Sequence, residues 1–123
     1  MKIAVLGYGT VGRGVVKIID EQVADVEVSR ILELPDRISE SRMTSRYADI
    51  VNDPQVEVVV ECMGGLEPAH TYILAALNAG KHVVTSNKAV VAEYFAEFVE
   101  AANANGVGLL IEANGVNHLV EVA

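Results

Sequence analysis

The tightest constraint on this chain is the stretch Ile3-Ala-Val-Leu-Gly7-Tyr-Gly9-Thr-Val-Gly12. Residues 3–6 are apolar and read as a short strand buried on both faces. Gly7 and Gly9 then turn the chain, and an apolar-periodic run over residues 10–19 reads as a helix. Strand, Gly-x-Gly-x-x-Gly and helix in that order is the setting that makes the glycine pattern informative. Gly7 permits the tight turn, Gly9 leaves the backbone open to a pyrophosphate, and Gly12 lets the helix close on its strand. Exposed amides and the positive helix end complete an anion site. Glycine turns also arise for structural reasons alone, so the next feature carries weight. A second strand-like run, residues 26–34, contains Glu33, about 20 positions beyond the glycines, where a carboxylate would accept hydrogen bonds from an adenosine ribose. The competing reading is a solvated strand-end glutamate.

The remaining chain alternates in the same way. In the first helix Val11, Val15, Ile18 and Ile19 fall at helical spacing and predict an inward face, closed by Asp20 and Glu21. Pro35 is expected to end the second strand. Residues 36–46 read as a surface loop with a short strand near 43–45, and residues 47–51 as one helical turn before Asn52-Asp53-Pro54. Residues 56–62 are β-branched and apolar, a clear strand, with Gly64 and Gly65 at its carboxyl end. Pro68 suits an early helical position, Ala69, Ile73, Ala76 and Leu77 share a face, and Gly80 stops that helix. His82–Thr85 is the next strand. Ser86-Asn87-Lys88 leads into a longer helix with Val91, Phe95, Phe98 and Ala102 inward and Glu93, Glu97 and Glu100 outward. Gly106 ends it before a last strand over 107–111, and residues 114–123 are an undefined tail. Alternation of this kind predicts an α/β fold, a parallel, doubly wound sheet with right-handed crossovers, in a single domain over 1–123.

Bulk properties exclude several classes. Half the chain is hydrophobic, a globular composition. No apolar run approaches the roughly 20 residues that cross a bilayer, and the chain enters its first strand with no room for a signal segment, so no membrane partner is expected. The single cysteine, Cys62, fits a reducing cytoplasm. A formal charge of −8 argues against nucleic acid, which needs a basic face. A polyanionic cofactor stays possible because local amides would hold it.

Lys88 is the most informative single residue. It opens a helix, where the dipole disfavours a cation, and it lies at the same carboxyl edge as the glycine turn. A lysine there could bind a cofactor oxygen or exchange a proton with a reacting hydroxyl, or be a solvated surface residue. Asn87 reads as an N-cap. Cys62 reads as a packing residue, and His70, His82 and His118 show no metal-site spacing with it, so no metal is expected. Glu57 and Glu61 alternate with apolar residues and receive no role. Glu112, ending the last strand at the ligand edge, could contact a substrate or only cap the sheet.

Three segments together resemble the nucleotide-binding half of homoserine dehydrogenase: Lys2-Ile-Ala-Val-Leu-Gly-Tyr-Gly-Thr-Val-Gly12, Val59-Val-Glu-Cys-Met-Gly-Gly65 and Gly80-Lys-His-Val-Val-Thr-Ser-Asn-Lys-Ala89. The likeness runs from Met1 to about Ala113, and the third segment is the selective one. Many related two-domain dehydrogenases carry Glu-Lys-Pro where this chain has Ser86-Asn87-Lys88-Ala89. The resemblance implies a three-layer Rossmann fold and hydride transfer between homoserine and aspartate semialdehyde through a nicotinamide. It implies that Gly7, Gly9, Thr10, Val11 and Gly12 hold the pyrophosphate, with Gly64, Gly65, Ser86 and Asn87 along the approach to the nicotinamide ribose. Lys88 would stand beside nicotinamide and substrate, as a catalytic and cofactor-binding residue. Leu34 and Pro35 replace the basic residue found in members that prefer the phosphorylated cofactor, so Glu33 points to NAD, with NADP possible. Of the loop tied to substrate and sodium only Glu112 matches, and no metal is assigned. The family's substrate-binding and dimer-forming domain has no counterpart in these 123 residues, so the chain is expected to bind dinucleotide without turning over homoserine, with a homodimer expected of the full-length form. A stand-alone dinucleotide-sensing module and a related amino-acid or imino-acid dehydrogenase are the competing readings.

Overall fold

A computed structural model describes residues 1–113 and 118–122, with side chains through residue 111. The elements are β1 (Lys2–Leu6), α1 (Thr10–Gln22), β2 (Glu27–Leu32), β3 (Met43–Thr44), α2 (Ala48–Val51), β4 (Val56–Glu61), α3 (Ala69–Asn78), β5 (His82–Thr85), α4 (Lys88–Asn105), β6 (Leu109–Ala113) and β7 (His118–Val122). They form one seven-stranded sheet in the order β3-β2-β1-β4-β5-β6-β7. The pairings from β3 through β6 are all parallel. Only β7 departs, lying antiparallel on β6. Sequence pattern assigns no element to the tail, and the four residues between β6 and β7 are too few for a parallel crossover.

The chain runs outward from β1 to β2 and β3, then returns to lay β4 on the other side of β1. That reversal is a topological switch point, where the loops leaving β1 and β4 part in opposite directions and open a crevice at the carboxyl edge. Two cores flank the sheet. Ala4, Leu6, Val59, Val83 and Leu109 face α3 and α4, meeting Ile73, Leu77, Val90 and Phe98. Ile3, Val5, Val28 and Ile31 face α1 through Val16. Helices therefore cover both faces, giving the three layers expected.

The α3 face is as predicted: Ala69, Ile73, Ala76 and Leu77 are its buried residues. In α1 the inward face is rotated from the expected one. Gly12 and Val16 are buried and Val15 and Ile19 pack partly buried against the core as expected, while Val11 and Ile18 are more than half exposed. The cause is Gly12, which sits against the Gly7 carbonyl and fixes which side of the helix meets β1. In α4 the expected Phe95 is exposed, and Val90, Val91, Phe98, Ala101 and Ala102 are buried. Tyr94 has non-helical φ/ψ, so the face before it does not continue in phase after it. Strand boundaries also shift. β2 stops at Leu32, before Pro35: the Glu33 amide makes the last rung to β3 at the Thr44 carbonyl, and the Leu34 amide turns instead to the Glu33 carboxylate. The last parallel strand starts at Leu109, since the Val107 amide is spent on the Ala102 carbonyl, closing α4 over the left-handed Gly106.

Candidate dinucleotide site

At the carboxyl edge of the switch point, the Gly7 amide donates to the Leu32 carbonyl at 3.0 Å and the Cys62 amide to the Leu6 carbonyl at 2.8 Å. These bonds tie the ends of β2, β1 and β4 into one rim. The three glycines have different causes. Gly7 has φ +96°, and a Cβ there would press on Met63 and the Cys62 carbonyl. A Cβ on Gly12 would come within 1.9 Å of the Gly7 oxygen, so only glycine lets α1 start where it does. A Cβ on Gly9 would meet nothing within 4 Å. The protein itself does not demand glycine there; a ligand lying against the turn would.

Gly9 caps α1 without a side-chain hydrogen bond, and the first turn has no acidic residue. Its leading amides are left for an outside acceptor, and no carboxylate competes with an anion. Thr10 and Val11 are exposed at this turn. Arg13 lies above the Tyr8 ring at 5.3 Å and brings a guanidinium to the same turn. The residues present therefore fit a pyrophosphate. Sequence spacing alone did not single out Arg13, although a cation one residue beyond the third glycine is a usable signal.

Two hollows open on either side of the glycine turn and share Met63. One, about 190 Å³, is lined by Gly7, Glu33, Leu34, Pro35, Met63 and Tyr72 among others. Glu33 thus stands where an adenosine ribose would be expected. Its Oε1 accepts the Leu34 amide at 2.9 Å, and no lysine or arginine lines the hollow. Tyr72, whose ring stacks on Tyr47 at 4.0 Å, forms part of the wall and was invisible to sequence reasoning, since on α3 it reads as an ordinary packing residue. The second hollow, about 250 Å³, is lined by Val11, Glu61, Cys62, Met63, Gly64, Ser86 and Asn87. This explains the exposed Val11: its side chain belongs to the cleft and not to the core.

Asn87 is the N-cap expected of it. Its Oδ1 accepts the Val90 amide at 3.2 Å, and its Nδ2 donates to the Gly65 carbonyl at 2.6 Å, tying α4 to the glycine loop after β4. Lys88 follows at the first position of α4. It is exposed at the same edge, next to the cleft wall but not part of it, and makes no hydrogen bond or ion pair among the described residues. The structure thus brings Gly7, Gly9, Thr10, Val11, Gly12, Glu33, Gly64, Gly65, Ser86, Asn87 and Lys88 to one edge of the sheet. Glu112 has its backbone in β6, and its side chain lies outside the described residues. Glu61, left without a role by sequence, is buried in the wall of the second hollow. Among the described residues no cluster of His, Cys, Asp and Glu could hold a metal, and no helix is long and apolar enough to cross a membrane.

A larger hollow, about 500 Å³, lies towards the amino edge between Val58, His82, Val84, Gly108 and Leu110. Size does not make it the site. It is mainly apolar and contains none of the glycine-turn residues, nor Glu33, Ser86, Asn87 or Lys88.

A sequence profile of the family described as homoserine dehydrogenase, NAD binding domain, matches residues 7–112. The chain is 43% identical to a homoserine dehydrogenase of Synechocystis over 92% of its own length and 29% of that protein's. It is 36% identical to that of Bacillus subtilis over 93% of its length and 30% of the relative's. Among solved structures, a homoserine dehydrogenase from Thiobacillus denitrificans superposes with a TM-score of 0.82 at 34% identity, covering 91% of this chain and 29% of the other. One from S. aureus gives 0.81 at 36% identity, with 91% and 32% covered. The chain spans about 30% of the length of the curated relatives it matches.

Proposed function

This chain belongs to the family of homoserine dehydrogenase NAD-binding domains, and on that premise we propose that its switch-point crevice seats a nicotinamide dinucleotide for the interconversion of homoserine and aspartate semialdehyde. The observation that carries the proposal is the Gly9 turn. A backbone stripped of side chain towards open space, at an uncapped helix start, has no use within the protein but suits a pyrophosphate. When bound, the nicotinamide supplies the hydride donor or acceptor. The leading amides of α1 hold the diphosphate, with Arg13 adding positive charge. Glu33 accepts the adenosine ribose hydroxyls, and its negative charge in a hollow without lysine or arginine disfavours a 2′-phosphate, which makes NAD the preferred form. Gly64, Gly65, Ser86 and Asn87 border the other end, and Lys88 extends from the start of α4 to bind a cofactor or substrate oxygen or to exchange its proton. Glu112 is proposed to face substrate from the end of β6.

Turnover requires both reactants in near-contact, and the length that the relatives carry beyond this match would supply the substrate's side of the site and the dimer contact. The 123-residue chain is therefore expected to bind NAD and to leave homoserine unoxidised. Calorimetry should show NAD binding about tenfold tighter than NADP. Preference for NADP would refute the role of Glu33, and absence of binding to either would refute the site.

A further inference from the structure

Glu61 is 1% exposed, and no cation pairs with it among the described residues. Its Oε2 accepts the Met63 amide at 2.8 Å and the Gly64 amide at 3.0 Å, and its Oε1 accepts the Thr85 hydroxyl at 2.5 Å. Thr85 Oγ1 in turn accepts the Asn87 amide at 3.0 Å, and Asn87 returns to the same loop through its bond to the Gly65 carbonyl. The circuit joins the end of β4, the Gly64–Gly65 loop, the end of β5 and the first turn of α4. We propose that Glu61 is the positioning residue for the nicotinamide half of the dinucleotide, fixing through this circuit the loop and helix start that border it. The inference rests on the nucleotide reading given above.

The loop has little else to hold it. Gly64 and Gly65 are exposed at φ +76° and +74°, and a Cβ on either would meet nothing within 4 Å. Packing does not set its shape, so the hydrogen bonds to Glu61 and Asn87 do. Burying a carboxylate without a cation is costly, and three donors offset that cost here. Two of those donors are amides of the loop a ligand would touch. A shorter neutral acceptor could cap a turn of this size, whereas a glutamate reaches β5 and the loop together. Glu61 is part of the wall of the second hollow but only 1% exposed, so it acts through Gly64, Gly65 and Asn87.

The test compares NAD with ADP, which ends at the pyrophosphate and lacks the nicotinamide ribose. Calorimetric titrations use the full 123-residue chain and its Glu61→Gln, Thr85→Val and Thr85→Ser variants. Losing a charge-assisted bond should weaken NAD binding by about tenfold in Glu61→Gln, with ADP affinity held within about twofold. Thr85→Val should weaken NAD by about threefold, and Thr85→Ser, which keeps the hydroxyl, should restore it. In ¹H–¹⁵N spectra the Met63 and Gly64 amide protons should move upfield in Glu61→Gln, because a neutral acceptor replaces a carboxylate. Equal losses for NAD and ADP, or an unchanged NAD affinity, would reduce Glu61 to a structural brace and overturn the proposal. Should Glu61→Gln fail to fold, the Thr85 pair decides by the same NAD-to-ADP ratio. An unsubstituted chain that binds neither ligand would remove the nucleotide reading and this inference together; unmoved ratios in a chain that binds both remove the inference alone.

Discussion

Glu61 and Lys81 are buried charged side chains at opposite ends of the same pair of strands, and each is satisfied mainly by backbone. Glu61, closing β4 at the carboxyl edge, is held by two amides and a hydroxyl. Lys81, 4% exposed just before β5, donates to the Asp53 carbonyl at 2.7 Å and the Val56 carbonyl at 2.8 Å. Desolvation pulls the Lys81 ammonium below its ordinary pKa, partly countered by the nearby Asp53 carboxylate. The sign of each charge matches the backbone groups it meets: amides of the loop after β4 at the carboxyl edge, and carbonyls of the α2–β4 turn and the start of β4 at the amino edge. An acid satisfies the first set and a base the second. The difference lies in what shares the donors: the loop held by Glu61 borders the crevice, whereas the carbonyls held by Lys81 face only the α2–β4 turn and β4.

That contrast can be broken most forcefully at Gly12. Gly12→Ala drives a methyl into the Gly7 carbonyl, which only a shift of the turn can relieve. A loss of about 3 kcal/mol in denaturant unfolding, together with at least about a tenfold loss of NAD affinity, is expected. Retention of NAD affinity would mean that the turn does not form the phosphate seat. Next in size is Lys81→Met at the other edge. The buried Val56 carbonyl loses the ammonium, while the part-buried Asp53 carbonyl keeps the Val56 amide at 3.2 Å, and a stability loss of about 2 kcal/mol is expected with NAD affinity within about twofold of the parent. A large loss of affinity from this substitution would erase the distinction between a ligand edge and a structural edge.

The smallest effect sharpens the contrast at the carboxyl edge itself. His70 bridges Glu97 at 2.9 Å and Glu67 at 3.0 Å while its ring stacks on Tyr94 at 3.7 Å, joining the start of α3 to α4 just beyond the glycine loop. The hydrogen bond to Glu97, and then that to Glu67, raises the His70 pKa above its ordinary value. A raised folded-state pKa means that this contribution is complete below the unfolded-state value near 6.5 and is lost as pH rises through the folded-state value. Because both carboxylates are half-exposed, the change should be no more than about 1 kcal/mol. Unfolding measured from pH 5.5 to 8.5 should show that decline in the parent and not in His70→Gln. Identical profiles for the two would exclude the bridge as the source.

Much of the site was legible because its causes are local. Gly7 and Gly12 follow from a turn and a close approach, Asn87 from capping, and Gly80 and Gly106 from left-handed helix ends, each written within a few residues. Helical spacing places Val11 and Phe95 inward although both are exposed, because it defines a stripe without saying which neighbour the stripe meets, and because a kink at Tyr94 breaks the one on α4. Glu61 escaped for a related cause. A glutamate in an apolar strand looks the same whether it meets solvent or the end of the next strand, and its donors include Thr85, 24 residues away.

By itself the sequence determined the strand–helix alternation, the glycine turn, the family likeness and the edge at which a ligand would sit, since periodicity, turn chemistry and the handedness of crossovers act over short stretches of chain. Only the tertiary structure decided the rotation of α1 about Gly12, the burial of Glu61, the pairing of Asn87 with Gly65 and the antiparallel seventh strand. Those depend on which distant backbone groups are left unsatisfied after the sheet has closed, and a buried charge or amide is placed by that remainder, not by its neighbours in sequence.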